Sequence, residues 1–155
     1  MPQDLTPGDG QDVLARFKEA REHREPDLVL DLFAEDAEYR GDPFEPPLSG
    51  AVAIREHWNR VAAEQADVEF DAERVWVSGR TVLASWHAAY TLPGSGDRLR
   101  ERGFLALEFD DVGLIARVRA WPVVRVVAPG GVVTPGSVAG AGVVPAEAGE
   151  GQDGR

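Results

Sequence analysis

The chain contains no cysteine, which excludes a disulfide framework and thiolate metal chemistry and leaves the redox compartment open. Positive charge is also scarce, with 16 Lys and Arg against 27 Asp and Glu and a formal net charge of −11. That balance repels phosphate backbones and anionic membrane surfaces, and the arginines are scattered instead of gathered into a stripe, so neither nucleic acid nor membrane is an expected partner. Long apolar runs are missing as well: no stretch approaches the roughly 20 residues needed to span a bilayer. The polar start "MPQDLTPGDG" lacks the basic and apolar segments of a secretory leader, and the expectation is a cytoplasmic protein. Histidine is sparse, and His23, His57 and His87 show neither i, i+4 nor His-x-His spacing. No metal and no cofactor is expected.

What the chain does have is 155 residues with 43% hydrophobic content, enough for one well-buried core and too little for two comfortable domains. After Arg125 the composition shifts to Gly, Pro, Ala and Val without aromatics, a mixture that cannot bury enough surface to offset its ordering entropy. The reading is a flexible N-terminus over residues 1–10, one domain over 11–127, and a disordered Gly/Pro/Ala-rich tail over 128–155.

Inside the domain the hydrophobic period changes once. Val13, Leu14, Phe17 and Ala20 share one helical face, and Pro26 opens a second helix that carries Leu28, Val29, Leu32 and Phe33. Ser49 is the expected N-cap of a third helix with Ile54, Trp58, Val61 and Ala62 on its apolar face. Beyond Ala66 the pattern alternates as strands do. "DVEFDAERVWVSG" slips phase near Arg74, as a bulge would make it, and "RTVLASWHAAYTL", "RLRERGFLALEF" and "LIARVRAWPVVR" follow, joined by "PGSGD" and "DDVG" turns. Helices first and a meander afterwards imply an α+β fold, with N-terminal helices packed on one face of a strongly bent antiparallel sheet.

The stretches "LARF", "LVLDLFAEDAEY", "GDPFEPPLSGAVAIREHW", "GRTVLASW" and "LALEFDDVGLIARVRAW" together resemble the nuclear transport factor 2-like superfamily, and within it the ketosteroid isomerase-like and SnoaL-like proteins. The resemblance spans Val13 to about Arg125. It implies a cone-shaped fold around a hydrophobic pocket, no cofactor, and a homodimer formed through the convex sheet face. That superfamily hosts isomerases, cyclases, hydrolases, dehydratases and noncatalytic modules, so activity has to be argued from the site.

In the isomerases the Asp of an Asp-Pro motif is a general base, and here it matches Asp42. Such a base needs a dry cavity and a donor group for the enolate oxygen. The resemblance places the isomerases' oxyanion-hole Tyr and Asp residues at Phe17, Phe33, Trp58 and Leu105, all without hydroxyl or acid. Loss of one such donor costs a few kcal/mol of transition-state stabilisation, so efficient ketosteroid isomerisation is disfavoured. The cyclases can carry a catalytic acid near the end of the last strand, where this chain has Ala120. Asp42 thus reads either as a base or as the shaper of the loop before the third helix, because Asp before Pro is a common turn starter.

If the isomerase register holds, Val82, Ala84, Trp86, Ala88 and Tyr90 face inward; a one-residue slip would turn Leu83, Ser85 and His87 inward instead. With Phe17, Phe33, Tyr39, Trp58, Leu105 and Ala120, residues Trp86 and Tyr90 make up the expected substrate pocket. Arg98, Arg100, Arg102, Arg117 and Arg119 alternate against Glu101 and Glu108, a pattern read as cross-strand charge pairs on the convex face, with a clamp for an acidic substrate as the alternative. Two functions remain open at this point. One is an isomerase, cyclase or dehydratase acting on a hydrophobic small molecule with Asp42 as base; the other is a noncatalytic ligand-binding or dimerisation module.

Overall fold

The computed structural model describes residues 3–130; the disordered tail expected over 128–155 lies, from residue 131 onward, outside the described residues. The first helix, α1 (Pro7–Glu22), begins inside the segment expected to be flexible. Its start is fixed by a reciprocal cap in which the Asp9 N–H donates to Thr6 Oγ1 at 3.1 Å and the Thr6 N–H donates to Asp9 Oδ2 at 2.7 Å. Two of the backbone donors that a helix start leaves without partners are thereby satisfied, and Pro7 occupies a first-turn position that needs no N–H.

The second helix, α2 (Asp27–Leu30), is a single turn, and the chain then enters strand β1 (Phe33–Arg40). This corrects the helical reading of Leu32 and Phe33. The spacing of Leu28, Val29, Leu32 and Phe33 fits a helix face, but a parallel ladder competes for the same residues: the Ile115 N–H donates to the Leu32 carbonyl at 2.7 Å and Tyr39 lies opposite Val118. Ladder bonds and burial outweigh propensity differences of a few tenths of a kcal/mol per residue.

The short strand β2 (Leu48–Ser49) leads into α3 (Ala51–Glu64). Gly50, not Ser49, is the N-cap; its φ of +92° favours glycine, while Ser49 pairs with Glu38. The meander follows as β3 (Ala66–Ser78), β4 (Thr81–Thr91), β5 (Arg98–Phe109) and β6 (Ile115–Ala128), with the β3 register shifting between Ala72 and Arg74. The strands form one curved, unclosed six-stranded sheet in the order β2-β1-β6-β5-β4-β3, antiparallel except where β1 runs parallel to β6.

On β4 the first register is the observed one. Val82, Ala84, Trp86, Ala88 and Tyr90 are buried, whereas Leu83 is exposed. The apolar face of α1 covers this inner surface through Val13, Leu14, Phe17 and Ala20. Contact is close at Gly10, where a Cβ would come within 2.7 Å of Val77 Cγ2. No helix among the described residues is long and apolar enough to cross a membrane.

Candidate active site

Two inward-pointing charges meet in the middle of the cone. Arg21 lies one helical turn after Phe17 on α1 and therefore shares its buried face; Glu101 lies on β5 in phase with the buried Leu99 and Leu105. Arg21 Nη2 donates to Glu101 Oε1 at 3.1 Å and to Gln65 Oε1 at 3.2 Å. The Arg21 and Glu101 side chains are only 8% and 1% exposed. The guanidinium carbon stands 5.8 Å from the Trp58 ring centre and 5.6 Å from that of Phe70, a placement that adds cation–π attraction to the ion pair. A desolvated pair of this kind is tolerated only when its remaining polar atoms find partners.

Not all of them do. Among the described residues Glu101 Oε2, Gln65 Nε2, Trp86 Nε1 and His57 Nε2 are buried without a hydrogen-bond partner. Glu101 and Trp86 line the same cavity, of about 40 Å³, together with Phe17, Tyr39, Phe70 and Leu105. A neighbouring cavity of about 30 Å³ lies between α1 and α3 and is lined by Ala20, Val29, Val61 and Gln65. Phe17, Arg21 and Trp58 border both spaces and form the partition between them. Volumes of this size hold one or two waters, so the interior is filled more completely than the pocket implied by the resemblance. The filling comes from rings: Phe70 stacks on Trp86 with centroids 5.7 Å apart, and Tyr39 meets Trp58 edge-on at 5.6 Å.

Burial sets the protonation of the two polar rings at this wall. Tyr39 is pushed well above the ordinary phenol range, mainly by burial, with Arg21 opposing and Glu101 reinforcing the shift. It stays a neutral hydroxyl donor at any physiological pH. His57, 5.7 Å from Tyr39 between ring centres, is held below the usual imidazole value by burial and then by the Arg60 charge. Near neutrality these two rings therefore add uncharged polar groups to otherwise apolar surroundings.

The residues expected in a pocket divide into two groups. Phe17, Tyr39, Trp58, Trp86, Leu105 and Ala120 line the larger cavity together. Phe33 packs in the main core, and Tyr90 belongs to a satellite cluster with Val68, Leu92 and Leu99 behind Glu101. Asp42 is partly buried beside Gly41, which borders the larger cavity, and its Oδ1 accepts the Phe44 N–H at 2.9 Å, closing the turn before Pro47.

Glu101 does not sit on the convex face. Its phase with Leu99 and Leu105 turns it inward, which the surrounding arginines of "RLRER" obscured in the sequence. Of the other expected charge pairs, Arg117 and Arg119 each reach Glu108 at 3.6 Å, whereas Arg98 pairs with Glu69 and Arg102 with Glu73 on β3. Among the described residues no His, Asp and Glu grouping could hold a metal ion.

No curated protein matches the chain. Among solved structures the fold superposes on SalBIII, an epoxide hydrolase/cyclase-like enzyme described as acting in pyran ring formation in the polyether salinomycin, with a TM-score of 0.67 and 16% identity over 77% of this chain and 96% of that one. At that identity the likeness concerns the fold. The family model for the SnoaL-like domain matches residues 14–118, which contain Arg21, Tyr39, Trp58, Trp86 and Glu101. The chain belongs to the SnoaL-like domain family of the nuclear transport factor 2-like superfamily.

Proposed function

We propose that the chain is an enzyme that binds an apolar small molecule inside the cone and moves a proton within it. Glu101 Oε2 takes a proton from one atom of the substrate and returns it to another, so that substrate and product are isomers. Both an allylic isomerisation and an internal ring closure satisfy this balance. Tyr39 donates a hydrogen bond to the oxygen on which negative charge develops, the role that dry, fixed donors perform best. Arg21 orients Glu101 through its hydrogen bond to Oε1. The observation that carries the reading is the partnerless, fully buried carboxylate oxygen of Glu101 in a cavity walled, apart from its partner Arg21, by rings and aliphatic groups. The ring-forming role described for SalBIII supports the cyclisation branch. Entry of a substrate requires the half-buried Trp58 to turn away and join the two cavities.

The test is a panel of β,γ-unsaturated ketones and hydroxy-epoxides incubated in D₂O and followed by mass spectrometry. Turnover that vanishes in Glu101→Gln and persists in Asp42→Asn supports the proposal. Turnover lost only in Asp42→Asn would return the role of base to Asp42, whose carboxylate would then have to leave its turn.

A second reading, a noncatalytic module that pairs with another copy of itself, is favoured by the outer sheet face. Trp76 and Phe104 stack there with centroids 6.5 Å apart, and Trp121, paired opposite Phe104, stays 43% exposed. Binding without turnover across the whole panel would favour that reading.

A further inference from the structure

A buried polar group without a partner costs about 1–3 kcal/mol, so the set left open at one wall describes what the wall is built to meet. At the larger cavity that set consists of one acceptor, Glu101 Oε2, and one donor, Trp86 Nε1, on side chains that are 1% and 5% exposed. The two residues are diagonal neighbours across β4 and β5, because Trp86 lies opposite Gly103 and Glu101 opposite Ala88. Diagonal neighbours stand about 7–8 Å apart at the backbone, within reach of long side chains aimed at a common point.

A hydroxyl is the smallest group that donates once and accepts as well. A ketone oxygen would satisfy Trp86 and leave Glu101 open; an ammonium would satisfy Glu101 and leave Trp86 open. Charge narrows the class further. Arg21 and Glu101 already neutralise one another, so an anionic ligand would set a second negative charge beside Glu101 in a dry space, and a cation would compete with Arg21 for the same carboxylate. Water offers the hydroxyl but not the body. Phe17, Phe70 and Leu105 on the same cavity favour a molecule that buries apolar surface, at about 25 cal/mol per Å².

Resting on the function proposed above, we infer that the site recognises an uncharged apolar alcohol, enol or phenol through a single hydroxyl that donates to Glu101 Oε2 and accepts from the Trp86 indole N–H. On the ring-closure branch this group is the one positioned to give up its proton, so recognition and reaction converge there on the same oxygen.

The experiment titrates ¹⁵N-labelled protein at pH 7 with toluene, 4-methylphenol and 4-methylbenzoate, three probes that share a ring and differ in the head group. The Trp86 indole resonance is assigned by its disappearance in Trp86→Phe. Expected are binding of 4-methylphenol about tenfold tighter than toluene, the usual gain from one hydrogen bond to a charged partner, a displaced Trp86 indole N–H signal, and 4-methylbenzoate weakest of the three. Trp86→Phe should lower the preference for the phenol several-fold and leave toluene nearly unaffected. Toluene and 4-methylphenol binding equally, or 4-methylbenzoate binding tightest, would overturn hydroxyl recognition while the cone remained an apolar site. If none of the probes binds, the proposed small-molecule function itself fails. The wild-type ratio carries the test, so it survives any variant that does not fold.

Discussion

Arg21 Nη2 and Glu101 Oε1 stand 3.1 Å apart across the cone, joining α1 to β5 through a pair that solvent scarcely reaches. Removing one partner leaves the other as an uncompensated buried charge, which costs about 3–5 kcal/mol. Arg21→Ala should therefore lower the urea midpoint sharply. The double variant Arg21→Met with Glu101→Leu should recover most of that loss, since replacing both members with apolar groups of similar size is often neutral or stabilising. A single variant as stable as the wild type would show that the pair is not buried in solution.

Asp42 and Glu101 are expected to separate cleanly in their effects. The Asp42 carboxylate closes a turn by accepting the Phe44 N–H, a hydrogen bond worth about 1 kcal/mol. Asp42→Ala should cost roughly that much in chemical denaturation and Asp42→Asn less, because the amide oxygen can accept the same bond. Neither should alter binding of an apolar probe by more than a factor of a few.

Much of this arrangement was legible in the sequence. The alternation on β4 left two registers open, of which the isomerase resemblance pointed to the observed one, with Val82, Ala84, Trp86, Ala88 and Tyr90 inward, and the phase slip near Arg74 marked the irregularity in β3. The segment around Phe33 was not legible, because apolar residues at 28, 29, 32 and 33 fit a helix face until β6 supplies a parallel neighbour. Glu101 was hidden for a different reason. Among the charges at 98, 100, 101 and 102 it looks like one more surface residue, yet counting back in steps of two from Leu107 and Leu105 places it on the inner face. The same reasoning by phase finds Arg21, one turn beyond Phe17. What no phase reveals is that these two charges lie within bonding distance, which depends on how α1 crosses the sheet.

The pH dependence of stability should carry the mark of His57. Its folded value is depressed below the ordinary imidazole value of about 6.5, so the unfolded chain takes up a proton first as pH falls, and stability present above about pH 6.5 is lost on the way down to the folded value. His57→Gln should flatten this part of the acid limb in denaturation measured at successive pH values. Asp9 and Asp71, lowered by hydrogen bonds from Thr6 and Lys18 respectively, act below about pH 4, and their limb should remain. An unchanged slope just below pH 6.5 in the variant would contradict the burial of His57.

We propose that a second copy of the chain covers the outer face on which Trp76, Phe104 and Trp121 are exposed. Aromatic residues flanked by arginines, as Arg119 flanks Trp121 with its guanidinium carbon 5.9 Å from the ring centre, are enriched at such contacts. Sedimentation at micromolar concentration should report a dimer that Phe104→Glu converts to a folded monomer. A wild-type monomer would dismiss the pairing.

Everything proposed for the site requires that an apolar molecule enter the cone, and the most direct measurement is the map of backbone and indole resonances that toluene displaces in ¹⁵N-labelled protein. The account predicts shifts centred on Phe17, Tyr39, Trp58, Trp86 and Leu105, with Trp58 the most affected because it must turn to admit the ring. Shifts confined to Trp76, Phe104 and Trp121 on the outer face, or none at saturating toluene, would contradict it.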